Sequence, residues 1–403
     1  MGKLQQGTTA FRKANLALFA GGFVTFSILY DVQPLMPIFS KEFGVRAATG
    51  SLTLSVTTFT LAIFMLVTSS FSEAWGRKII MAASLILSSL IVIVTAFSPD
   101  FGSLLAFRVL QGVVLAGLPA IAMAYLGEEV EPNSLGVAMG LYISGNSIGG
   151  MAGRIITGSV TDFFSWRIAM GSIGVISLLL SIWFWLNLPE SRNFKPKPLN
   201  LKGLFVSLFR HLRDPALLCL FGIAFILMGS FVTLFNYIGF QLLEPPYQLS
   251  QTIIGWIFIV YLTGTFSSTW MGRLSDSLGR RKVLWIGLLI MLFGAVLTLG
   301  EPLVLKIFGI AAFTFGFFGS HSIASSWVGQ RAKTEKAQAS SLYLFFYYSG
   351  SSIAGAAGGF FWAQYGWAGV IGFIIILLLC AFPLSVKLSS ASVSSNAIRV
   401  KNK

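Results

Sequence analysis

A chain of 403 residues with 10% charged and 55% hydrophobic residues and a mean hydropathy of +0.80 is not composed like a soluble domain, in which about a quarter of the residues are charged. Its net charge of +14 does not point to nucleic acid: in so apolar a chain Lys and Arg report which loops face which side of a bilayer. Cys219 and Cys380 both lie in apolar runs, so no disulfide framework is implied and both read as buried, inert side chains.

A span needs about 20 mostly apolar residues. Twelve such windows follow one another: 14–37, 47–71, 79–97, 102–126, 135–160, 166–188, 215–242, 251–271, 283–299, 303–327, 338–362 and 367–386. The expected fold class is therefore an all-α polytopic membrane protein. The first window follows Lys3, Arg12 and Lys13 and is too long for the core of a secretory signal, so residues 1–13 are expected as a cytoplasmic segment before span one. With the N-terminus inside, the outer side keeps only Lys41, Arg46, Arg167 and Lys306, and Arg108 and Arg154 fall within spans. This bias puts both termini in the cytoplasm. Residues 189–214, with Lys195-Pro196-Lys197-Pro198, divide the windows six and six and read as a cytoplasmic linker whose charge sets topology at the membrane surface. Six-helix bundles are thus expected over 14–188 and 215–388, and a disordered, Ser-rich, basic tail over 389–403.

Two stretches repeat at half the chain length. Residues 272–282 read Gly-Arg-Leu-Ser-Asp-Ser-Leu-Gly-Arg-Arg-Lys. Residues 69–78 read Ser-Ser-Phe-Ser-Glu-Ala-Trp-Gly-Arg-Lys, with Gly76 matching Gly279, Arg77 matching Arg280 and Glu73 matching Asp276 at an offset of 203. Residues 142–150 resemble 348–355, with Gly145 matching Gly350 at an offset of 205. Two matches at nearly one offset indicate two copies of one unit. Small residues stand four apart at Gly136/Gly140, Gly145/Gly149, Gly149/Gly153, Gly350/Ala354 and Gly355/Gly359. Such spacing lets backbones approach, and a close but mobile contact between the halves is expected there.

Ionisable residues inside spans are costly and suggest function. Asp31, Arg108 and Arg154 each lie about six residues from the outer end of a span, ~9 Å at ~1.5 Å per residue, and so share one layer. Burial disfavours a carboxylate's charged form and a nearby guanidinium favours it. Asp31 and Arg108 then read either as a proton switch or as a static ion pair between spans one and four. Arg154 shares a helix face with Asn146 and Gly150: it lines a cavity with Asn146, or it snorkels to the outer surface. With both arginines the layer carries net positive charge, which favours an anionic substrate. In the second half His321 reads as a titrating group or a hydrogen-bonded packing residue. Asn236 and Tyr237, expected to break span seven, and Tyr343, Phe346 and Tyr347 on span eleven are candidates for contact with a lipophilic substrate.

The chain resembles the major facilitator superfamily, in its 12-span drug/proton antiporter-like, arabinose-efflux-type branch. Residues 272–281 match the signature Gly-x-Leu-x-Asp-x-x-Gly-Arg-Arg, and 69–78 resemble its first copy with Ser69 for Gly and Glu73 for Asp. Arg108-Val-Leu-Gln-Gly112 resembles the fourth-span pattern Arg-x-x-Gln-Gly. Residues 145–150 are similar to the antiporter motif Gly-Pro-x-x-Gly-Gly, with Asn146 in place of proline, and Trp166-Arg167 resembles the start of the sixth span. The resemblance implies two pseudo-symmetric six-helix bundles that rock about a central site. It implies proton coupling by Asp31 and Arg108 and a cavity that takes in Tyr30. It also implies gating by Gly145, Gly149 and Gly150 and by two inner-surface latches: Glu73, Gly76 and Arg77, and Gly272, Asp276, Gly279, Arg280 and Arg281. The alternative role for Arg280, Arg281 and Lys282 is topology alone.

No Walker-type phosphate loop and no His-Glu-x-x-His is present, and no enzymatic activity, cofactor or metal is expected. The expected function is proton-coupled efflux of small amphipathic or drug-like compounds. The partners expected are that substrate, protons and the lipid bilayer, with the chain a monomer in a bacterial-type inner (plasma) membrane. The alternatives are an organic-anion or sugar-type exporter or symporter using Arg154 and Arg108, and a transporter-like receptor or lipid-handling scaffold without coupled flux.

Overall fold

In a computed structural model of the chain, residues 3–194, 196, 201–332 and 334–401 are described, side chains at 201–202 and 389–401 excepted. The tail expected at 389–403 lies outside the fully described residues. Local caps set where helices begin. Thr8 accepts from Phe11 N–H at the start of α1 (Thr9–Tyr30), and Asp100 and Ser103 form a capping box on α5 (Phe101–Leu115). Ser165 opens α8 (Trp166–Asn187), and Asp214 with Pro215 opens α10 (Pro215–Leu243). Each such cap satisfies helix N–H groups that have no intrahelical acceptor.

Between these lie α2 (Met36–Glu42), α3 (Ala47–Trp75), α4 (Arg77–Thr95), α6 (Gly117–Glu129), α7 (Pro132–Phe163) and α9 (Leu201–Leu212). After α10 come α11 (Gln251–Ile257), a 3₁₀ turn at Phe258–Val260, α12 (Tyr261–Leu278), α13 (Arg280–Leu297), α14 (Leu303–Arg331) and α15 (Lys336–Lys401). Gly366, at φ +57°, breaks α15 into two arms. Among the described residues nine helical stretches are long and apolar enough to cross a membrane, with Lys336–Leu388 taken as one. The two remaining windows, 135–160 and 283–299, fall on α7 and α13, so each of the twelve expected windows holds a helix.

The connectors differ from expectation. Residues 69–78 and 272–282 are polar enough to read as loops, yet only one residue in each is non-helical. Gly76 at φ +104° joins α3 to α4, and Gly279 at φ +84° joins α12 to α13. That backbone region is open to glycine and strained for other residues, which accounts for the glycine in both copies. The linker holds α9, and α10 runs unbroken through Asn236 and Tyr237, where a break was expected. Cys219 is buried as expected, but Cys380 is exposed, because one face of α15 there has no protein neighbour.

The chain forms two units. The first holds residues 1–46, 52–201 and 248–258; the second holds 47–51, 202–247 and 259–403. Each has the same helix-on-helix core. In the first unit Gly145, Gly149 and Gly153 of α7 run along Phe19, Phe23 and Ser27 of α1. Both series ascend, so the helices are parallel, and a Cβ at these glycines would lie 2.9, 2.5 and 2.8 Å from the three Cα atoms. Ser27 Oγ donates to the Gly149 carbonyl at 2.9 Å. In the second unit Gly350 and Gly358 of α15 lie on Phe225 and Thr233 of α10, with Ala354 on Gly229 between them. At these positions the small residues pack on a helix of their own sequence half, where a contact between the halves was expected; Gly359, of the same stripe, does meet the other half, at Ala48. Gly158 packs on Gln251 and Gly255 in the first unit, and Gly359 on Ala48 in the second.

Candidate functional site

A proline shapes the end of α1. Pro34 has no N–H to continue the helix, so Asp31 caps α1 and residues 31–35 turn, with Gln33 N–H donating to the Tyr30 carbonyl at 3.1 Å. The Leu29 carbonyl, which Gln33 N–H would otherwise serve, is left to another donor. Arg108 of α5 supplies it. Its Nη2 donates to Leu29 O at 2.9 Å, its Nη1 to Ile28 O at 3.2 Å and to Gln111 Oε1 at 2.6 Å, and its Nε to Thr53 O at 2.8 Å. A cation thereby closes the negative end of the helix dipole. Asp31 Oδ1 accepts from the same Nη1 at 3.3 Å, and both side chains are fully buried. Among the described residues Asp31 Oδ2 has no hydrogen-bond partner.

Arg154 sits on the other side of the same turn. Its Nε donates to Gln33 Oε1 at 2.7 Å and its Nη1 to the Gly150 carbonyl at 2.6 Å. The guanidinium lies between the rings of Tyr30 at 4.1 Å and Phe258 at 4.6 Å, a cation–π arrangement that substitutes for hydration. It is buried and does not snorkel. Residues 30–33 thus hold the two arginines apart, Asp31 facing one and Tyr30 and Gln33 the other. Asn146 is half-buried, and its amide oxygen occupies the space left by the missing side chain of Gly22.

The second unit brings its candidates into an aromatic cluster. His321 Nδ1 and Tyr343 Oη are 3.0 Å apart, and the His321 ring lies 4.7 Å from Tyr347 and stacks on Phe317. Phe346 stands apart, stacked on Phe221 at 5.4 Å. Tyr237 is buried and donates to the Gly355 carbonyl at 2.9 Å, and Asn236 is buried beside it.

The repeated connectors differ. Arg77 is buried; its Nη2 and Nε donate to the two Glu128 carboxylate oxygens at 2.8 and 3.3 Å and its Nη1 to Ser72 Oγ at 2.6 Å, with Glu73 farther off at 3.9 Å. In the second copy Arg280 donates to the Gln330 side-chain oxygen, and Asp276 is exposed. The pairing expected for Asp276 and Arg280 is therefore replaced by an arginine–amide contact. At the opposite end of the first unit Trp166 Nε1 and Arg167 Nη1 donate to the two oxygens of Glu42 at 2.6 and 2.7 Å. Nearby, Asp162 accepts from the N–H groups of Gln251 and Thr252 at 3.0 and 2.6 Å. Burial works to raise the Asp162 carboxyl, but hydrogen bonds from Thr252, Ser250 and Gln251 outweigh it and hold the group below the usual carboxylate value.

Sequence reasoning missed Gln111, Gln33, Thr53 and Phe258 as parts of the site. Gln111 had a signal, since i,i+3 spacing puts it beside Arg108 on one helix face. Phe258 had none, because its place depends on the helix breaking at 258–260.

Paired apolar helical units, with Asp31, Arg108 and Arg154 buried within spans of the first, fit a polytopic membrane transporter. The profile of the Major Facilitator Superfamily matches residues 18–244 and 240–397. The chain is 56% identical to the MFS-type transporter YybF of Bacillus subtilis, over 95% of each chain. It is 25% identical to the multi-drug resistance efflux pump PmrA of Streptococcus pneumoniae, over 89% of this chain and 92% of that one. Among solved structures, a bacterial homologue of the human lysosomal transporter Spinster, inward-facing and occupied, superposes with a TM-score of 0.73 at 17% identity, covering 96% of this chain and 98% of that one. The chain belongs to the Major Facilitator Superfamily and is a transporter, not an enzyme.

Proposed function

We propose that this transporter exports small amphipathic compounds in exchange for protons by alternating access. Asp31 carries the proton, and Arg108 is its counter-charge. The observation that carries the reading is the asymmetry of the buried pair. Arg108 is seated by three backbone carbonyls and Gln111 as well as by Asp31, whereas Asp31 keeps one oxygen without a partner. Protonating Asp31 would leave Arg108 in place, as a switch requires and a purely structural pair does not. The likeness to an efflux pump supports the outward direction.

On this reading Tyr30, Asn146 and Arg154 contribute to the substrate path in the first unit, and Asn236, Tyr237, Phe346 and Tyr347 in the second. The glycines at 145, 149 and 150 and the two connectors take part in gating. The distribution of Lys and Arg supports an inner (plasma) membrane of bacterial type with both termini cytoplasmic, and we take the protein to act as a monomer. A second reading, export or uptake of organic anions, is favoured by Arg154, which sets a second guanidinium in the layer of Asp31 and Arg108. Counterflow in proteoliposomes separates the two. Exchange of a lipophilic cationic dye is expected, and exchange of organic anions alone would contradict the first reading.

A further inference from the structure

His321 takes no part in the proton switch, yet the second unit holds it in an ordered setting. Phe231 of α10, Phe317 of α14 and His321 form a stack of near-parallel rings. Phe231 and Phe317 lie 3.8 Å apart at an interplanar angle of 16°, and Phe317 and His321 lie 6.0 Å apart at 8°. The two phenylalanines are buried, whereas His321 and Tyr347 are half-buried. The stack therefore has a packed base and an accessible end, where the rings of His321 and Tyr347 meet at 4.7 Å.

The neighbours of that end are polar. Ser325, four residues after His321 and so on the same face of α14, is exposed, and Ser322 is half-buried. An imidazole and hydroxyls turned to hydrocarbon would lack hydrogen-bond partners, at a cost that keeps such groups on cavities and bundle interiors. This strip of α14 thus borders a polar space within the span.

Tyr343 fixes which nitrogen is offered there. Its Oη lies 3.0 Å from His321 Nδ1 and 3.4 Å from the His321 carbonyl oxygen. The phenol has one proton to donate, and Nδ1 is the nearer acceptor; the carbonyl already serves the hydrogen-bond ladder of α14. A neutral imidazole that accepts at Nδ1 carries its own proton at Nε2. The accessible end of the stack therefore presents an N–H donor beside an aromatic face.

We propose that this end of the stack seats the aromatic part of the substrate, which stacks against Tyr347 and accepts from His321 Nε2–H through a carbonyl oxygen, with Tyr343 as the positioning residue that sets the tautomer. The inference rests on the export reading only in placing Tyr347 on the substrate path.

Two neutral dyes test it on the purified full-length protein: an acetyl-substituted dimethylaminonaphthalene, with a ring system and a ketone, and its ethyl analogue, with the ring system alone. Equilibrium binding is read from dye fluorescence against protein-free micelles. The wild type should bind the ketone about fivefold more tightly, the worth of one hydrogen bond. His321→Phe keeps a ring in the stack but removes the donor, and should bring the two dyes to equal affinity. Tyr347→Leu should weaken both alike. Tyr343→Phe releases Nδ1, lets the tautomers compete and should lower the preference for the ketone while leaving the ethyl dye unaffected; a merely structural tyrosine would shift both dyes together, and that result would overturn its positioning role. Unchanged preference in His321→Phe would overturn the proposal. So would equal affinity of the wild type for the two dyes, a result that needs no variant to fold. Binding is measured without a pH gradient, so a protein that moves no protons can still show the preference, and loss of the preference leaves proton coupling standing.

Discussion

Arg108 donates to acceptors on three segments, and only one of them is an acid. Its bonds to Leu29, Ile28 and Thr53 carbonyls and to Gln111 mean that its charge is spread over helix-end dipoles as well as over Asp31. Removing the cation should therefore cost more than removing the anion. Arg108→Gln leaves a buried carboxylate and several carbonyls unserved, a loss of about 3–5 kcal/mol by analogy with broken buried pairs. Asp31→Asn retains an oxygen toward Nη1. Thermal unfolding of the purified variants should place Arg108→Gln well below Asp31→Asn, and the reverse order would contradict the seating described here. Arg154 is held differently, between two rings and on Gln33. Sequence alone left open whether it faced inward or snorkelled, because that depends on Phe258, which reaches it only through the helix break at Phe258–Val260 in the window 251–271.

At the scale of helices, the parallel contact of α1 with α7 depends on the absence of side chains at Gly145, Gly149 and Gly153. Gly149→Ala would put a methyl group 2.5 Å from the Phe23 Cα, forcing the helices apart and straining the Ser27 hydrogen bond. A cost of about 1–3 kcal/mol is expected, as for other overpacked cores. Gly136→Ala on the same helix meets nothing within 4 Å and should be neutral or slightly stabilising, since alanine is the better helix former. Unfolding in mild denaturing detergent checks both, and equal effects would contradict the packing. The spans themselves were legible because hydrocarbon thickness fixes their length and apolarity. The partner of the glycine stripe was not, because four-residue spacing states that something approaches closely without stating what. The one-residue joints at Gly76 and Gly279 were hidden for a related reason. Charged residues at the end of a membrane helix look like a loop in composition, and only the backbone shows that a single positive-φ glycine suffices.

For the whole molecule, the repeat visible at offsets of 203 and 205 corresponds to two units with equivalent parallel contacts, α1 with α7 and α10 with α15. The repeat does not extend to the site: Asp31, Arg108 and Arg154 all belong to the first unit, while the second presents aromatic rings around His321. That division was legible in sequence, because charge inside a span is rare enough to stand out. The partners of the two connector arginines were not, since they are Glu128 and Gln330, far from either motif in the chain. The central claim is that Asp31 couples proton movement to substrate movement. It is tested most directly by measuring proton flux in proteoliposomes under an imposed pH gradient as substrate is added, for the wild type and for Asp31→Asn. The account predicts substrate-dependent proton movement in the wild type and none in Asp31→Asn, with substrate binding retained. Equal proton movement in both proteins, or none in the wild type with any transported substrate, would contradict it.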